Sequence, residues 1–191
     1  MTTTIDCPIW GTGYKAILYK TWMNFRGKLD IDKEDLIISE RAGGPYRLTR
    51  QAYAAIWRLE EHGKARLTSW LVGQRLLGIA EPIVTDEIVM SFESVRNEQA
   101  LSVSARAERL LLFIDRQTDR LGAHVPIFAN TLAAYAWSES TDWRDVDYLL
   151  DFLRDQGWID SVFWGEGGGQ VALTVFGRTQ IEGLSSLPNT P

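Results

Sequence analysis

Along residues 142–159, DWRDVDYLLDFLRDQGWI, apolar side chains recur at Val146, Leu149, Leu150 and Leu153. That spacing follows the 3.6-residue turn, so the stretch is predicted as a helix buried along one stripe. Asp142 and Asp145 fall in or beside its first turn, where the helix dipole favours acids. Gly157 supplies a stop. Beyond it, SVFWGEGGGQVALTVF holds two β-rich runs around a glycine-rich turn at residues 165–169, the pattern of a hairpin. Upstream, a helix is predicted over 105–121, capped by Ser104, ended by Gly122, with Ala107, Leu110, Leu111 and Ile114 inward. Its other side mixes Arg106, Arg109, Arg116 and Arg120 with Glu108, Asp115 and Asp119, as on a salt-bridged solvent face. His124-Val125-Pro126-Ile127 reads as a short strand. Residues 132–138, started by Asn130 or Thr131, and residues 176–184 read as short helices. The order helix, strand, helix, helix, strand, turn, strand is that of a winged helix-turn-helix.

The first half is less periodic. Residues 5–38 read as irregular structure and short strands, with 36–39 a strand. Tyr14, Ile17, Leu18 and Trp22 permit either a strand or a short helix over 14–22. Residues 41–48 read as a turn followed by a short extended segment. Thr49 caps a helix predicted over 50–61, with Ala52, Ala55, Ile56 and Leu59 inward and His62-Gly63 breaking it. A second helix over 64–77 sets Leu67, Trp70, Leu71, Gln74 and Leu77 in register and ends at Gly78. Small residues on the first helix and large ones on the second predict a close-packed pair. Residues 79–82 connect to a short turn, 85–89, capped by Thr85. The polar run 93–100 reads as a boundary, with an N-terminal α+β domain at 1–98, a winged helix at 102–184 and a tail or linker at 185–191. The expected fold class is α+β, mainly helical, a C-terminal winged helix-turn-helix preceded by a small helical and strand domain.

Length allows this division: 191 residues suit one large or two small domains, and eight Trp supply ample core. The single cysteine, Cys7, rules out an internal disulfide framework. Cys7-Pro8-Ile9-Trp10-Gly11 has the outline of a zinc knuckle without its second cysteine, and zinc requires about four ligands. Cys7 is therefore expected to be a buried thiol, and no metal or cofactor is expected. The start, MTTTIDCPIWG, has no basic region leading into an apolar segment, and no 18-residue apolar run occurs, so a cytoplasmic protein without membrane contact is expected.

Charge bears on function. Residues 1–100 carry 13 basic and 13 acidic side chains, and residues 101–191 carry 7 and 12, so the second half holds the whole net charge of -5. A winged helix that reads DNA carries Arg, Lys, Asn or Gln near the start of its third helix, and phosphate contacts require positive charge. The face opposite Val146 and Leu150 instead shows Arg144, Asp147, Tyr148, Asp151 and Asp155, and the 165–169 turn has no cation. The expectation is a regulatory or assembly module that binds another protein or its own copy. Its interface is placed at Arg144, Tyr148, Asp151 and Trp164, with Trp158 and Phe163 in the core. The alternative is DNA binding through the basic 41–78 segment, whose Arg41, Arg47, Arg50, Arg58, Lys64, Arg66 and Arg75 face only Glu60 and Glu61. Gly43-Gly44, between Arg41 and Arg47, is either an ordinary turn or an anion cradle. Asp147, Asp151 and Asp155 at i, i+4 and i+8 read as a solvated face, since a hard cation needs further oxygen ligands. No nucleophile-elbow, phosphate-loop, dinucleotide or zinc-protease motif appears, and His62 and His124 have no local partners, so catalysis is not expected.

Residues 104–184, with Gln156-Gly157-Trp158-Ile159 and Ala172-Leu173-Thr174, are similar to bacterial winged-helix domains. The resemblance implies a glycine and two hydrophobic residues after the third helix and a Leu-Thr pair opening a terminal helix. Arg41-Ala42-Gly43-Gly44-Pro45-Tyr46, with Lys64-Ala65-Arg66-Leu67-Thr68-Ser69-Trp70-Leu71, resembles N-terminal regions of bacterial multidomain antiphage-defence proteins. In those, a C-terminal TIR-type or other nucleotide-consuming effector acts while the N-terminal part senses or assembles. The implication for this chain is a scaffold role in bacterial defence, as a fragment preceding an effector.

Overall fold

The structure, a computed structural model, describes residues 2–19, 34–93, 100–118, 120, 122–165 and 167–186. Trp22, most of the 93–100 run, Leu121 and residues 187–191 lie outside it, as do the side chains of residues 162–164, 185 and 186. The chain is α+β, mainly helical, and divides into two compact units, Met1–Ala100 and Leu101–Pro191.

In the first unit, β1 (Thr2–Cys7), β2 (Gly11–Tyr19), β3 (Asp35–Ser39), β4 (Gly44–Leu48) and β5 (Ile83–Val84) form one sheet in that order. The first three junctions are antiparallel and the β4–β5 junction is parallel. Residues 14–19 are therefore strand. Alternation sends Ala16, Leu18, Ile37, Tyr46 and Leu48 into the core, while Ile17 and Ile38, paired across β2 and β3, face outward. Among the core strands lies a small polar group. Ser39 Oγ donates to Cys7 Sγ at 3.1 Å, and the buried Tyr46 phenol sits beside the same thiol.

Three helices follow, α1 (Arg50–Ile56), α2 (Glu61–Leu76) and α3 (Asp86–Ser91). Thr49 and Thr85 cap α1 and α3 by accepting the Ala52 and Ile88 N–H groups. The first helix stops at Ile56, and His62-Gly63, expected as a break, form the first turn of α2. Packing accounts for the glycine: a Cβ at Gly63 would stand 3.0 Å from the Phe92 carbonyl oxygen and 3.2 Å from Leu59. Glycine here permits close approach of the chain after α3 and does not terminate the helix. The expected pairing of α1 with α2 is also replaced, because α1 packs chiefly on α3. Ala65, Leu67, Thr68, Ser69, Leu71 and Val72 are all buried, so the middle of α2 lacks a single wet face. Thr68 meets its burial by donating to the Lys64 and Ala65 carbonyls.

The second unit runs α4 (Val103–Arg116), β6 (His124–Phe128), α5 (Leu132–Trp137), α6 (Trp143–Asp155), β7 (Ile159–Gly165), β8 (Gly168–Leu173) and α7 (Val175–Ser186). Ser102, not Ser104, caps α4, and that helix ends five residues before the expected 121. The sheet is antiparallel in the order β6-β8-β7. Helix α6 buries Val146, Leu149, Leu150 and Leu153 and is capped by Asp142, which accepts the Asp145 N–H. Its end turns through Gly157, and Thr174 donates to the Gly157 carbonyl, which ties the start of α7 to the end of α6. A Cβ at Gly177 would collide with the Trp158 carbonyl oxygen, so that contact depends on glycine.

Burial, with Cys7 and Tyr53 adding to it, holds the Tyr46 phenol well above the ordinary value of 10.0. The folded chain thus keeps this proton to higher pH than the unfolded chain. The associated stability is intact below pH 10 and declines as pH rises toward the folded value, by up to about 1.4 kcal/mol per pH unit. Tyr46→Phe is expected to flatten the loss between about pH 10 and 11 in urea titrations. Equal slopes for the two chains would contradict this.

Candidate interaction surfaces

The basic 41–78 segment does not present one surface. Arg41 leaves the 3-10 turn Glu40–Ala42 and is 1% exposed, its guanidinium carbon 3.7 Å from the Trp10 ring centroid and 5.6 Å from that of Tyr14. Arg66 is buried, and its Nη2 donates to the Phe92 carbonyl at 3.2 Å. Arg47 donates through Nε and Nη2 to Glu81 Oε2 at 2.9 and 2.6 Å. Arg75 donates to the Ala42 and Pro45 carbonyls, both at 2.9 Å, across the Gly43-Gly44 turn. Burial pushes its guanidinium down to about 10. Gly43-Gly44 is therefore a turn braced from within its own unit. Of the expected contact residues, Arg50 and Arg58 are exposed and Lys64 is half-buried.

Between the two exposed arginines stands Trp57, 79% exposed at the C-terminal cap of α1. The exposed residues of this helix and its cap are Arg50, Gln51, Ala54 and Trp57, and exposed Arg58 follows in the turn beyond. A sequence reading misses Trp57 because any tryptophan raises the expectation of burial. The available signal is its place beside, and not on, the Ala52, Ala55, Ile56 face.

In the second unit, the arginines are largely engaged. Arg106 donates from Nε to the Ser138 carbonyl at 2.8 Å and pairs with Asp145 at 3.3 Å, so α4 holds the turn into α6. Arg178 pairs with Asp115 at 2.6 Å and Arg154 with Asp151 at 2.7 Å. Arg116 lies 5.1 Å from the Trp137 ring centroid. Burial pushes Arg109 below the usual arginine value, with Glu139 opposing the shift. Among the proposed interface residues, Arg144 and Tyr148 share the outward side of α6, with Tyr148 62% exposed. Asp151 is half-buried in its ion pair. The Trp164 backbone pairs with Gly169, and its side chain lies outside the described residues.

A further exposed element was not expected. Val175 and Phe176 open α7, and Phe176 is 75% exposed. They border an open groove of about 740 Å³ reached also by Gly157, Asp160 and Leu173. The face of α7 that packs inward carries Gly177 and Ile181, which leaves Val175 and Phe176 outside it. Among the described residues, no three His, Cys, Asp or Glu side chains gather as a metal site, and no helix is long and apolar enough to cross a membrane. No protein-family model, curated protein or solved structure significantly matches the chain.

The sorting of arginines into bracing and surface groups has a direct consequence for stability. Arg41→Ala is expected to cost more than about 2 kcal/mol, because it removes a buried side chain stacked on Trp10. Arg50→Ala and Arg58→Ala should stay within about 0.5 kcal/mol of the parent chain. Chemical denaturation of the three variants measures this, and a neutral Arg41→Ala would refute the bracing role.

Proposed function

We propose that the chain is a non-catalytic regulatory or assembly module that acts through protein–protein contacts, with its second unit a winged helix. The order α4-β6-α5-α6-β7-β8 and the sheet order β6-β8-β7 support the winged-helix assignment. In that fold α6 occupies the position of the DNA-reading helix. One observation carries the functional reading. Arg106, Arg154 and Arg178 are held in ion pairs and Arg109 is largely buried, which leaves Arg116, Arg120 and Arg144 as exposed arginines, while Tyr148, Val175 and Phe176 stand in solvent. A phosphate backbone needs free cations in number, and each contact adds about 0.9 to the salt slope. A protein partner needs apolar and aromatic anchors that bury well. This unit offers the second kind of surface.

The DNA-binding alternative is left with Arg50, Arg58 and Lys64 on the first unit. Three cations support at most a weak, sequence-independent attraction. Fluorescence anisotropy of the purified chain with mixed-sequence duplex at about 50 and 200 mM salt decides between the readings. The expected result is no binding, or weak binding with a log–log salt slope no steeper than about 3. Tight binding that collapses between the two salt concentrations would overturn the protein-contact reading.

A further inference from the structure

Two exposed helical stripes, one in each unit, are complementary in order. On the first unit, Arg50 and Trp57 are seven residues apart, with exposed Ala54 between them and Arg58 beside Trp57. On the second, exposed Tyr148 and Asp155 are also seven residues apart, with half-buried Asp151 between them, half-buried Asp147 beside Tyr148 and exposed Arg144 one turn before it. Seven residues make two helical turns and about 10 Å, so each aromatic shares a face with its distant charge. Laid antiparallel, one register sets Trp57 against Tyr148 and Arg50 against Asp155. The small Ala54, between the two on α1, allows close approach. Parallel alignment with the aromatics opposed carries Arg50 and Asp155 to opposite ends. Antiparallel helices also oppose their dipoles favourably.

We propose that this chain binds a second copy of itself head to tail, the α1 stripe of one copy on the α6 stripe of the next. The proposal rests on the protein-contact reading and names its partner. Trp57 and Tyr148 are the two aromatic anchors, and both are largely exposed in the single chain. Trp, Tyr and Arg are the residues that most often dominate interface energy. The flanking charges set orientation and speed encounter. Because the two faces differ, each copy retains one unused face, and the contact builds chains or closed rings.

Sedimentation velocity of the full chain at concentrations up to about 100 µM tests this, in a range that detects weak association. The parent chain is expected to form species larger than dimers, less so at high salt. The double variant W57A/R50E should lose association at least about tenfold, and so should Y148A/D155R. Circular dichroism and thermal melting should show both folded. Mixing the two variants leaves one intact pair of faces, so the mixture should form dimers and nothing larger. A parent chain that stays monomeric, a variant that associates like the parent, or a mixture without dimers would each overturn the proposal. Absence of DNA binding alongside any of these leaves the protein-contact reading standing, whereas steep salt-dependent DNA binding removes that reading itself.

Discussion

Both units depend on guanidinium groups that donate to backbone carbonyls of irregular segments. Arg75 spans the Gly43-Gly44 turn, Arg66 holds the chain after α3 at Phe92, and Arg106 holds the turn between α5 and α6 at Ser138. A turn or helix end leaves carbonyls without partners, and burying them unpaired costs about 1–3 kcal/mol each. A planar group with five donors on a long stem reaches such carbonyls from a neighbouring element. The cost is desolvation of the cation, visible in the lowered pKa of Arg75 and Arg109. That cost is tolerable only where the bonds are made, so these arginines fix the geometry of the turns they brace.

This bracing separates the number of basic residues from the basic surface. The 41–78 segment has seven cations in sequence, yet Arg41, Arg66 and Arg75 point inward and Arg47 is neutralised by Glu81. In the second unit Arg106, Arg154 and Arg178 neutralise carboxylates. Such pairs leave little long-range field, since the partner charge lies within a Debye length. The exposed chemistry is then aromatic and apolar, at Trp57, Tyr148 and Phe176, with charge as a flank. Surfaces of that composition bind proteins better than they bind phosphates.

How much of this could be read from the sequence varies with the local physics. Helix α6 was legible because its burial is one-sided, so Val146, Leu149, Leu150 and Leu153 expose the period directly. Asp142 and Gly157 marked its ends for the same local reasons. Helix α2 was legible only in part, because it is buried on several sides and Gly63 serves packing where punctuation was expected. Strand β5 has two residues and exists through its pairing with β4, which no local pattern announces. The destinations of Arg41, Arg66 and Arg75 lie ten or more residues away in sequence, so their burial is tertiary information. Exposure of Trp57 and Phe176 follows from which helical face the core takes, and that is settled only once the neighbouring elements are in place.

The distribution of charge between the units bears on the symmetry of association. All of the net -5 lies in residues 101–191, while residues 1–100 are balanced. A symmetric contact between two second units would bring like charge together, at short range where salt screens little. A symmetric contact between two α1 stripes would oppose Arg50 and Arg58 with the same arginines. A heterologous contact avoids both conflicts, because it sets the α1 stripe, with Arg50, against the more acidic α6. The exposed aromatics then serve one role on each side, and neither stripe draws on the arginines that hold the folds together. Association can therefore be altered at Trp57 or Tyr148 while the braced turns, and the stability they carry, remain as they are.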